Sequence, residues 1–265
     1  MYPILFHLYG SLSIQTYGAC IALGVITVLI LASWDKRVSA VISADLFVSM
    51  VNLTILMGIV GGRLLYILME PQQFNSPIDL IAIWDGGFSV LGSIFTVIPA
   101  LILYLRRHHL PLLPLLDIVG LYAPLVQAFG RVGCFFAGCC HGSPTTLFWS
   151  VTYTDPHTVA PLCIALHPTQ LYNAIALLIL FLALHFYMKA SVRSGEILSL
   201  SLLGLVGIRF VTDFWRGDRQ ELIQTFLGPL STHQLISLGI MVATLILFIA
   251  LRYIPQGPRK AARNL

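Results

Sequence analysis

Apolar residues along this chain form long runs that short polar segments separate. Seven of these runs approach the roughly 20 residues that a helix needs to cross a bilayer. Most charged and aromatic residues fall between the runs, a spacing that excludes the alternating pattern of a membrane barrel. The pattern therefore predicts an all-α integral membrane protein with spans at about residues 12–33, 45–69, 86–105, 112–133, 168–188, 196–216 and 232–252.

Composition agrees with this pattern. Hydrophobic residues make up 57% of the chain and charged residues only 10%, whereas soluble domains carry about 25% charged residues. No internal repeat or linker divides the sequence, so residues 1–265 are expected to form one membrane-embedded domain with a basic tail at 253–265. The basic residues sit in short loops and read as topology signals, so no nucleic-acid partner is expected.

The distribution of lysine and arginine predicts the orientation of the spans. Cytoplasmic loops of membrane proteins carry the excess of these residues. Two of them, Arg216 and Arg219, fall on one side of the predicted spans. Ten fall on the other side, namely Lys36, Arg37, Arg106, Arg107, Lys189, Arg193, Arg252, Arg259, Lys260 and Arg263. The N-terminus is therefore expected outside and the C-terminus inside. Residues 1–11 contain no lysine or arginine, so the first run is expected to be a retained helix and not a cleaved signal.

Three arginines remain, and all of them lie inside predicted spans. Arg63, Arg131 and Arg209 each fall in the outer half of a span under this topology. Charge within a bilayer is costly and commonly marks function, although an arginine can also pair with an acid for structural reasons. The other polar groups expected at the same depth are Tyr17, Gly86, Gly87, His167 and Asp213. Guanidinium groups suit phosphate, so this depth is predicted to hold a lipid head group.

The segment from Gly130 to Gly142 concentrates unusual chemistry at the end of the fourth span. It contains Arg131, glycines at 133 and 138, and a cluster of cysteines with His141. Three interpretations of Cys134, Cys139 and Cys140 remain open: a zinc site, a disulfide in which Cys163 is a further candidate partner, or packing and reactive thiols.

These motifs together resemble the bacterial prolipoprotein diacylglyceryl transferases. The resemblance covers essentially the whole chain, and five motifs occur in the order typical of that family. They are Gly61-Gly62-Arg63 with Tyr66, Trp84-Asp85-Gly86-Gly87-Phe88-Ser89, Gly130-Arg131-x-Gly133 through Gly138 and Gly142, His167-Pro168-Thr169-Gln170-Leu171-Tyr172, and Arg209-Phe210 with Asp213.

The resemblance implies a transferase of lipoprotein biosynthesis in the bacterial inner membrane, with its active site toward the outer leaflet. Such an enzyme transfers diacylglyceryl from phosphatidylglycerol to the lipobox cysteine of a prolipoprotein signal peptide, and glycerol phosphate leaves. No cofactor and no metal are implied. The implied catalytic residues are Tyr17, Arg131, His141, His167 and Arg209. The implied substrate-binding residues are Arg63, Gly86, Gly87, Arg131, Gly133, Gly138, Gly142, Arg209 and Asp213.

The sequence departs from the family pattern at several polar positions. Leu91 stands where the family commonly has a histidine that is a candidate base. Cys134, Ala137 and Cys139 stand where the signature has two asparagines and a glutamate. His141 or His167 could remove the proton of the incoming thiol, or the arginine field could suffice. The alternatives are a divergent member that acts on another thiol or lipid, and a membrane lipid-binding or transport protein.

Overall fold

The computed structural model describes residues 3–9, 12–74, 76, 79–80, 87–189, 193–217, 219, 222–225 and 228–253. Within these residues seven helices are long and apolar enough to cross a membrane, which confirms the all-α membrane prediction. They are α1 Thr16–Trp34, α2 Ala44–Met69, α3 Val90–Arg107, α4 Leu112–Ala137, α5 Thr169–Tyr187, α6 Glu196–Thr212 and α7 Thr232–Tyr253. A 3-10 turn, Asp213–Trp215, continues α6.

Among the described residues, three short hairpins connect or precede the helices. They pair β1 Ile4–Tyr9 with β2 Leu12–Gln15, β3 Val151–Thr152 with β4 Ala165–Leu166, and β5 Leu222–Thr225 with β6 Gly228–Ser231. The predicted start of the first span at residue 12 was therefore wrong. Apolar and polar residues alternate over Leu12–Gln15, which is the period of a strand, and α1 begins only at Thr16.

The chain divides into two compact units. One comprises Met1–Leu31 and Leu116–Leu265, and the other comprises Ala32–Leu115. The expected single domain stays a prediction.

The smaller unit is built on close packing between α2 and α3. Gly61 of α2 lies so near α3 that a Cβ atom at this position would overlap the Thr96 hydroxyl. The Thr96 Oγ1 donates a hydrogen bond to the Met57 carbonyl at 2.7 Å, and the Ser93 Oγ donates to the Gly58 carbonyl at 2.7 Å. Small residues and hydroxyl bonds of this kind drive helix association in membranes, where apolar burial contributes little.

In the larger unit, α4 supplies the centre of the core. It is the most buried of the seven spanning helices, and its Ile118 and Leu121 are fully buried. Asp117 is also fully buried, and its carboxylate accepts hydrogen bonds from the Gly195 and Leu198 amides at 2.8 and 3.0 Å. This buried acid therefore caps the N-terminus of α6, where the free amides and the helix dipole favour a negative charge.

Candidate active site

The cysteine-rich loop after α4 is fixed by the first turn of α5. Helix α4 ends at Ala137, and Gly138 then takes the left-handed φ of +75° that glycine adopts readily at a helix end. The Cys139 carbonyl accepts a hydrogen bond from the Gln170 side-chain amide at 2.8 Å, and the Cys140 carbonyl accepts one from the Thr169 hydroxyl at 2.9 Å. Both donors are buried, so the loop has a defined position.

Backbone pairing joins the same loop to the segments before α5 and after α6. The Gly142 amide donates to the His167 carbonyl at 3.0 Å, and the Gly217 amide donates to the His141 carbonyl at 3.0 Å. There is no room for a side chain at Gly142, because its Cβ would overlap the backbone of His167. A bridge between Gly142 and Arg216 completes this arrangement. Three polar segments that are distant in sequence are thus held against one another.

Tyr153 is hydrogen-bonded to two residues that adjoin the cysteine loop. Its side chain is fully buried, its hydroxyl donates to the Phe135 carbonyl at 3.0 Å, and it accepts from Gln170 Nε2 at 3.3 Å. Burial raises the pKa of Tyr153 to about 12, so the phenol stays neutral and keeps its donor.

Three thiols meet at this loop. The Sγ atoms of Cys134, Cys139 and Cys140 all lie within 4.8 Å of one another, and all five cysteines of the chain are free thiols. Hydrogen bonds from Cys134 and Cys139 lower the pKa of the Cys140 thiol, and the positive charges of Arg216 and Arg131 act in the same direction. The pKa of Cys139 is raised by its hydrogen bonds with the other two thiols and by burial. Of the two loop thiols, Cys140 therefore has the surroundings that favour the thiolate form.

Arg131 projects from α4 one turn before Cys134. It interacts electrostatically with Tyr17, with the thiols and with Arg209. Within the described residues, no carboxylate lies at ion-pair distance from Arg131. Its charge is therefore available to an anion.

Arg209 contributes, together with Arg131, to a positive electrostatic field. Its guanidinium lies 3.6 Å from Asp213, which also lies 3.7 Å from Arg219 and accepts a hydrogen bond from the Ser231 hydroxyl at 2.5 Å. Asp213 is almost fully buried, and its one carboxylate serves two arginines. Arg209 also interacts electrostatically with Arg216, as well as with Arg131. The structure thus brings Arg131 and Arg209 into one electrostatic neighbourhood.

Tyr17 reaches this neighbourhood because α1 and α4 touch at a glycine. A Cβ at Gly133 would lie 3.0 Å from the Tyr17 Cα and 3.2 Å from the Cys20 Cβ. The close approach places Tyr17 within electrostatic range of Cys134, Cys139 and Arg131. An apolar cavity of about 390 Å³ lies along the same helix pair, lined in part by Thr16, Ala19, Cys20, Leu23 and Phe136.

The two candidate histidines have different surroundings. His141 Nδ1 lies 3.0 Å from the Gly142 carbonyl. His167 Nδ1 lies 3.3 Å from the Tyr172 hydroxyl, which itself accepts a hydrogen bond from Trp149 Nε1 at 2.6 Å. Their role as bases stays a prediction.

Arg63 belongs to the smaller unit, where its guanidinium bonds to three backbone carbonyls that lie between α2 and α3 in the sequence. It donates to the carbonyls of Leu80 at 3.3 Å and Gly87 at 3.1 Å, and to that of Asp79. Gly87 has a φ of +74°, and a Cβ there would lie 2.9 Å from the Arg63 guanidinium. These contacts favour a positioning role for Arg63. Gly86 lies outside the described residues, and the predicted convergence of Arg63 with the other arginines stays a prediction.

Several supporting residues carry no local sequence signal for their roles. Arg216 was assigned to a loop as a topology signal, whereas its charge acts on Cys140. The bonds from Thr169 and Gln170 to the cysteine loop link positions about thirty residues apart. The His-Pro-Thr-Gln motif marked these two residues but not their acceptors.

Comparison with known proteins agrees with the resemblance. The family model described as prolipoprotein diacylglyceryl transferase matches residues 3–250. A relative from Clostridium tetani, named phosphatidylglycerol–prolipoprotein diacylglyceryl transferase, is 36% identical over 94% of this chain and 97% of its own length. A second enzyme of that name from Clostridium perfringens is 31% identical over 92% of this chain and 93% of its own. A relative of the same name from Dehalococcoides mccartyi is 32% identical over 93% of this chain and 92% of its own. The chain, a multi-pass membrane protein, therefore belongs to the prolipoprotein diacylglyceryl transferase family.

Proposed function

We propose that this chain transfers a diacylglyceryl group from phosphatidylglycerol to the lipobox cysteine thiol of prolipoproteins. Full-length similarity to enzymes named for this reaction supports the assignment. The structural observation that carries it is the positive field of Arg131 and Arg209, in which Arg131 has no carboxylate partner among the described residues. Such a field suits a phosphate.

The reaction makes use of that field as the bonds change. The substrate thiolate attacks the glyceryl carbon that is bonded to the phosphate oxygen. A C–S bond forms, the C–O bond breaks, and its electron pair stays on glycerol phosphate, whose charge changes from −1 to about −2. Charge that develops on the leaving group is what fixed guanidinium groups stabilise best. Arg131 and Arg209 are assigned to this phosphate, and Asp213 orients Arg209 through their 3.6 Å contact.

The other candidate residues of the larger unit are assigned to the same site. Tyr17 and His141 lie at the cysteine loop, and either His141 or His167 is assigned as a base for the thiol. Gly133, Gly138 and Gly142 let the surrounding backbones approach closely. The apolar cavity beside α1 and α4 suits an acyl chain or the hydrophobic part of a signal peptide, because its lining offers little polar surface.

The proposed location is the bacterial inner membrane, with the site toward the outer leaflet. The ten-to-two distribution of lysine and arginine supports an N-terminus outside and a C-terminus inside. This orientation places the loop of residues 138–167 on the side where signal peptides of exported prolipoproteins emerge.

A second candidate is a divergent transferase that acts on another thiol or lipid. It is favoured by Leu91 and by the cysteines that replace polar residues of the family signature. A lipid-binding or transport protein would use the same positive field without turnover.

Reconstitution separates these functions. Purified protein is incubated with phosphatidylglycerol and a synthetic lipobox peptide, and the peptide is analysed by mass spectrometry. We expect the mass of one diacylglyceryl group to be added at cysteine and a Cys→Ser peptide to stay unmodified. The Clostridium tetani relative serves as the positive control. Absence of transfer by this chain, under conditions in which that relative is active, would refute the proposal.

A further inference from the structure

The three thiols at the end of α4 have the composition and spacing of a metal site. The Sγ atoms of Cys134, Cys139 and Cys140 lie within 4.8 Å of one another. With Zn–S bonds of about 2.3 Å, tetrahedral coordination places sulfurs about 3.8 Å apart. A contraction of at most about 1 Å therefore closes the cluster around one ion.

The backbone explains how two adjacent cysteines face one point. Cys140 has a positive φ of 57°, the left-handed region that non-glycine residues seldom enter. Hydrogen bonds from Gln170 and Thr169 hold the carbonyls on either side of that turn. A strained conformation that its surroundings over-determine is typical of a functional position.

A disulfide accounts for the cluster less well. Neighbouring Cα atoms are about 3.8 Å apart, which is below the spacing that disulfides normally span. Cys139 and Cys140 are therefore poor partners for each other. If Cys134 paired with either of them, the third thiol would stay unpaired, whereas a metal ion engages all three.

The number of protein ligands indicates a catalytic metal site and not a structural one. Among the described residues, the cluster has no fourth His, Cys, Asp or Glu ligand within the same distance. Catalytic zinc sites keep three protein ligands and leave the fourth position to water or substrate. Three thiolates and Zn²⁺ carry a net charge of −1, and the positive charges of Arg131 and Arg216 act on Cys140 and so favour this anionic site.

We propose that Cys134, Cys139 and Cys140 bind one zinc ion whose fourth ligand is the cysteine thiol of the substrate. This proposal rests on the transferase function proposed above. The zinc ion would activate the substrate thiol in a chain that has Leu91 at the position of the family's histidine. A metal-bound thiol is deprotonated outright, so zinc would take over the thiol activation that the transferase proposal assigns to His141 or His167.

The bond changes balance without a further reactant. The substrate thiol displaces water from zinc and releases its proton to solvent. The bound sulfur attacks the glyceryl carbon of phosphatidylglycerol, the C–S bond forms, and the C–O bond breaks toward phosphate. A thioether is a weak ligand for zinc, so the product dissociates and the ion is unchanged. The net products are the thioether, glycerol phosphate and one proton.

Metal content is the first test. Full-length protein purified under reducing conditions is loaded with Zn²⁺, dialysed and analysed by elemental mass spectrometry. We expect about one zinc per chain. The Cys134→Ser, Cys139→Ser and Cys140→Ser variants should bind it more weakly by at least the roughly 100-fold that loss of an outer-shell partner alone can cost. Cys163→Ser is the matched control, because Cys163 is exposed and outside the cluster. Zinc retained in all three cluster variants would overturn the proposal.

Cobalt substitution tests the fourth position. Co²⁺-loaded protein should show thiolate charge-transfer absorption and the intense visible bands of tetrahedral coordination. Addition of a lipobox peptide should increase the charge-transfer absorption by one further thiolate, and a Cys→Ser peptide should leave it unchanged. A spectrum that does not respond to the cysteine peptide would refute substrate coordination.

The same preparations separate this proposal from the transferase function. Metal-free protein that transfers diacylglyceryl at the full rate, with its three thiols reduced or with a disulfide among them, would leave the function standing and overturn the metal site. Zinc-loaded protein whose cobalt spectrum responds to the peptide, but which transfers nothing from phosphatidylglycerol, would leave the metal site standing and overturn the function.

Discussion

Replacement of Arg131 by lysine separates the shape of the guanidinium from its charge. The variant keeps a positive side chain on α4 but loses the planar fork that binds two phosphate oxygens together. Losing one charge-assisted hydrogen bond costs about 1.5–3 kcal/mol, so kcat/KM should fall roughly 10- to 150-fold. Stability should change by less than about 0.5 kcal/mol, because Arg131 has no carboxylate partner to lose among the described residues.

The assay is kcat/KM for phosphatidylglycerol at saturating lipobox peptide, with thermal unfolding in detergent measured in parallel. Arg107→Lys is the matched control, because Arg107 is exposed at the end of α3 and should tolerate the change. A second substrate sharpens the result. A diacylglyceryl sulfonate ester has a leaving group that needs little charge stabilisation, so the defect of the variant should shrink with it. Activity within threefold of wild type on phosphatidylglycerol, or an equal defect on both substrates, would refute the phosphate role of Arg131.

Three further predictions concern the scaffold and the topology. Asp213→Asn leaves Arg209 without its buried counter-charge and should lower the free energy of unfolding by about 3–5 kcal/mol, measured by thermal unfolding in detergent. Gly61→Ala forces a methyl group into the Thr96 hydroxyl and should destabilise the protein by about 1–3 kcal/mol or prevent its insertion, whereas Gly58→Ala, whose Cβ meets its nearest neighbour at 3.8 Å, should be tolerated. Cys163 is exposed, so an impermeant maleimide should label it in intact spheroplasts and Cys163→Ser should abolish that label.

Each of these predictions has an outcome that contradicts it. If the Asp213→Asn variant unfolds at the same temperature as the wild-type protein, the carboxylate does not support Arg209. Equal behaviour of the two glycine variants would contradict the close approach of α2 and α3. Labelling of Cys163 only after permeabilisation would reverse the proposed topology.

The spans were predictable because helix length and apolar composition alone define them in a bilayer. The exceptions lie at their ends. Leu12–Gln15 forms a strand and not the start of the first span. The sequence prediction missed it because an alternation of only four residues merges with the apolar run that follows. Helix α4 extends to Ala137 and not to residue 133, because Gly138 is the first residue there that takes a positive φ.

The chemistry of the site was only partly readable. Arginine is rare within membrane spans, so Arg131 and Arg209 stood out. The partners that hold the cysteine loop could not be predicted, because Gln170 and Thr169 bond to carbonyls about thirty residues away. Asp117 is a similar case, since its cap on α6 joins residues 78 and 81 positions apart. Long-range polar contacts of this kind depend on packing that local patterns do not encode.

The most direct test counts both products of one reaction. Purified protein, phosphatidylglycerol and a lipobox peptide are incubated, and glycerol phosphate and diacylglyceryl peptide are quantified in the same sample. The account predicts equal amounts of the two products, and neither product with a Cys→Ser peptide. Glycerol phosphate released with the serine peptide would indicate lipid hydrolysis, and lipidated peptide without glycerol phosphate would indicate another donor. Either result would contradict the claim that thiol attack is coupled to departure of the phosphate.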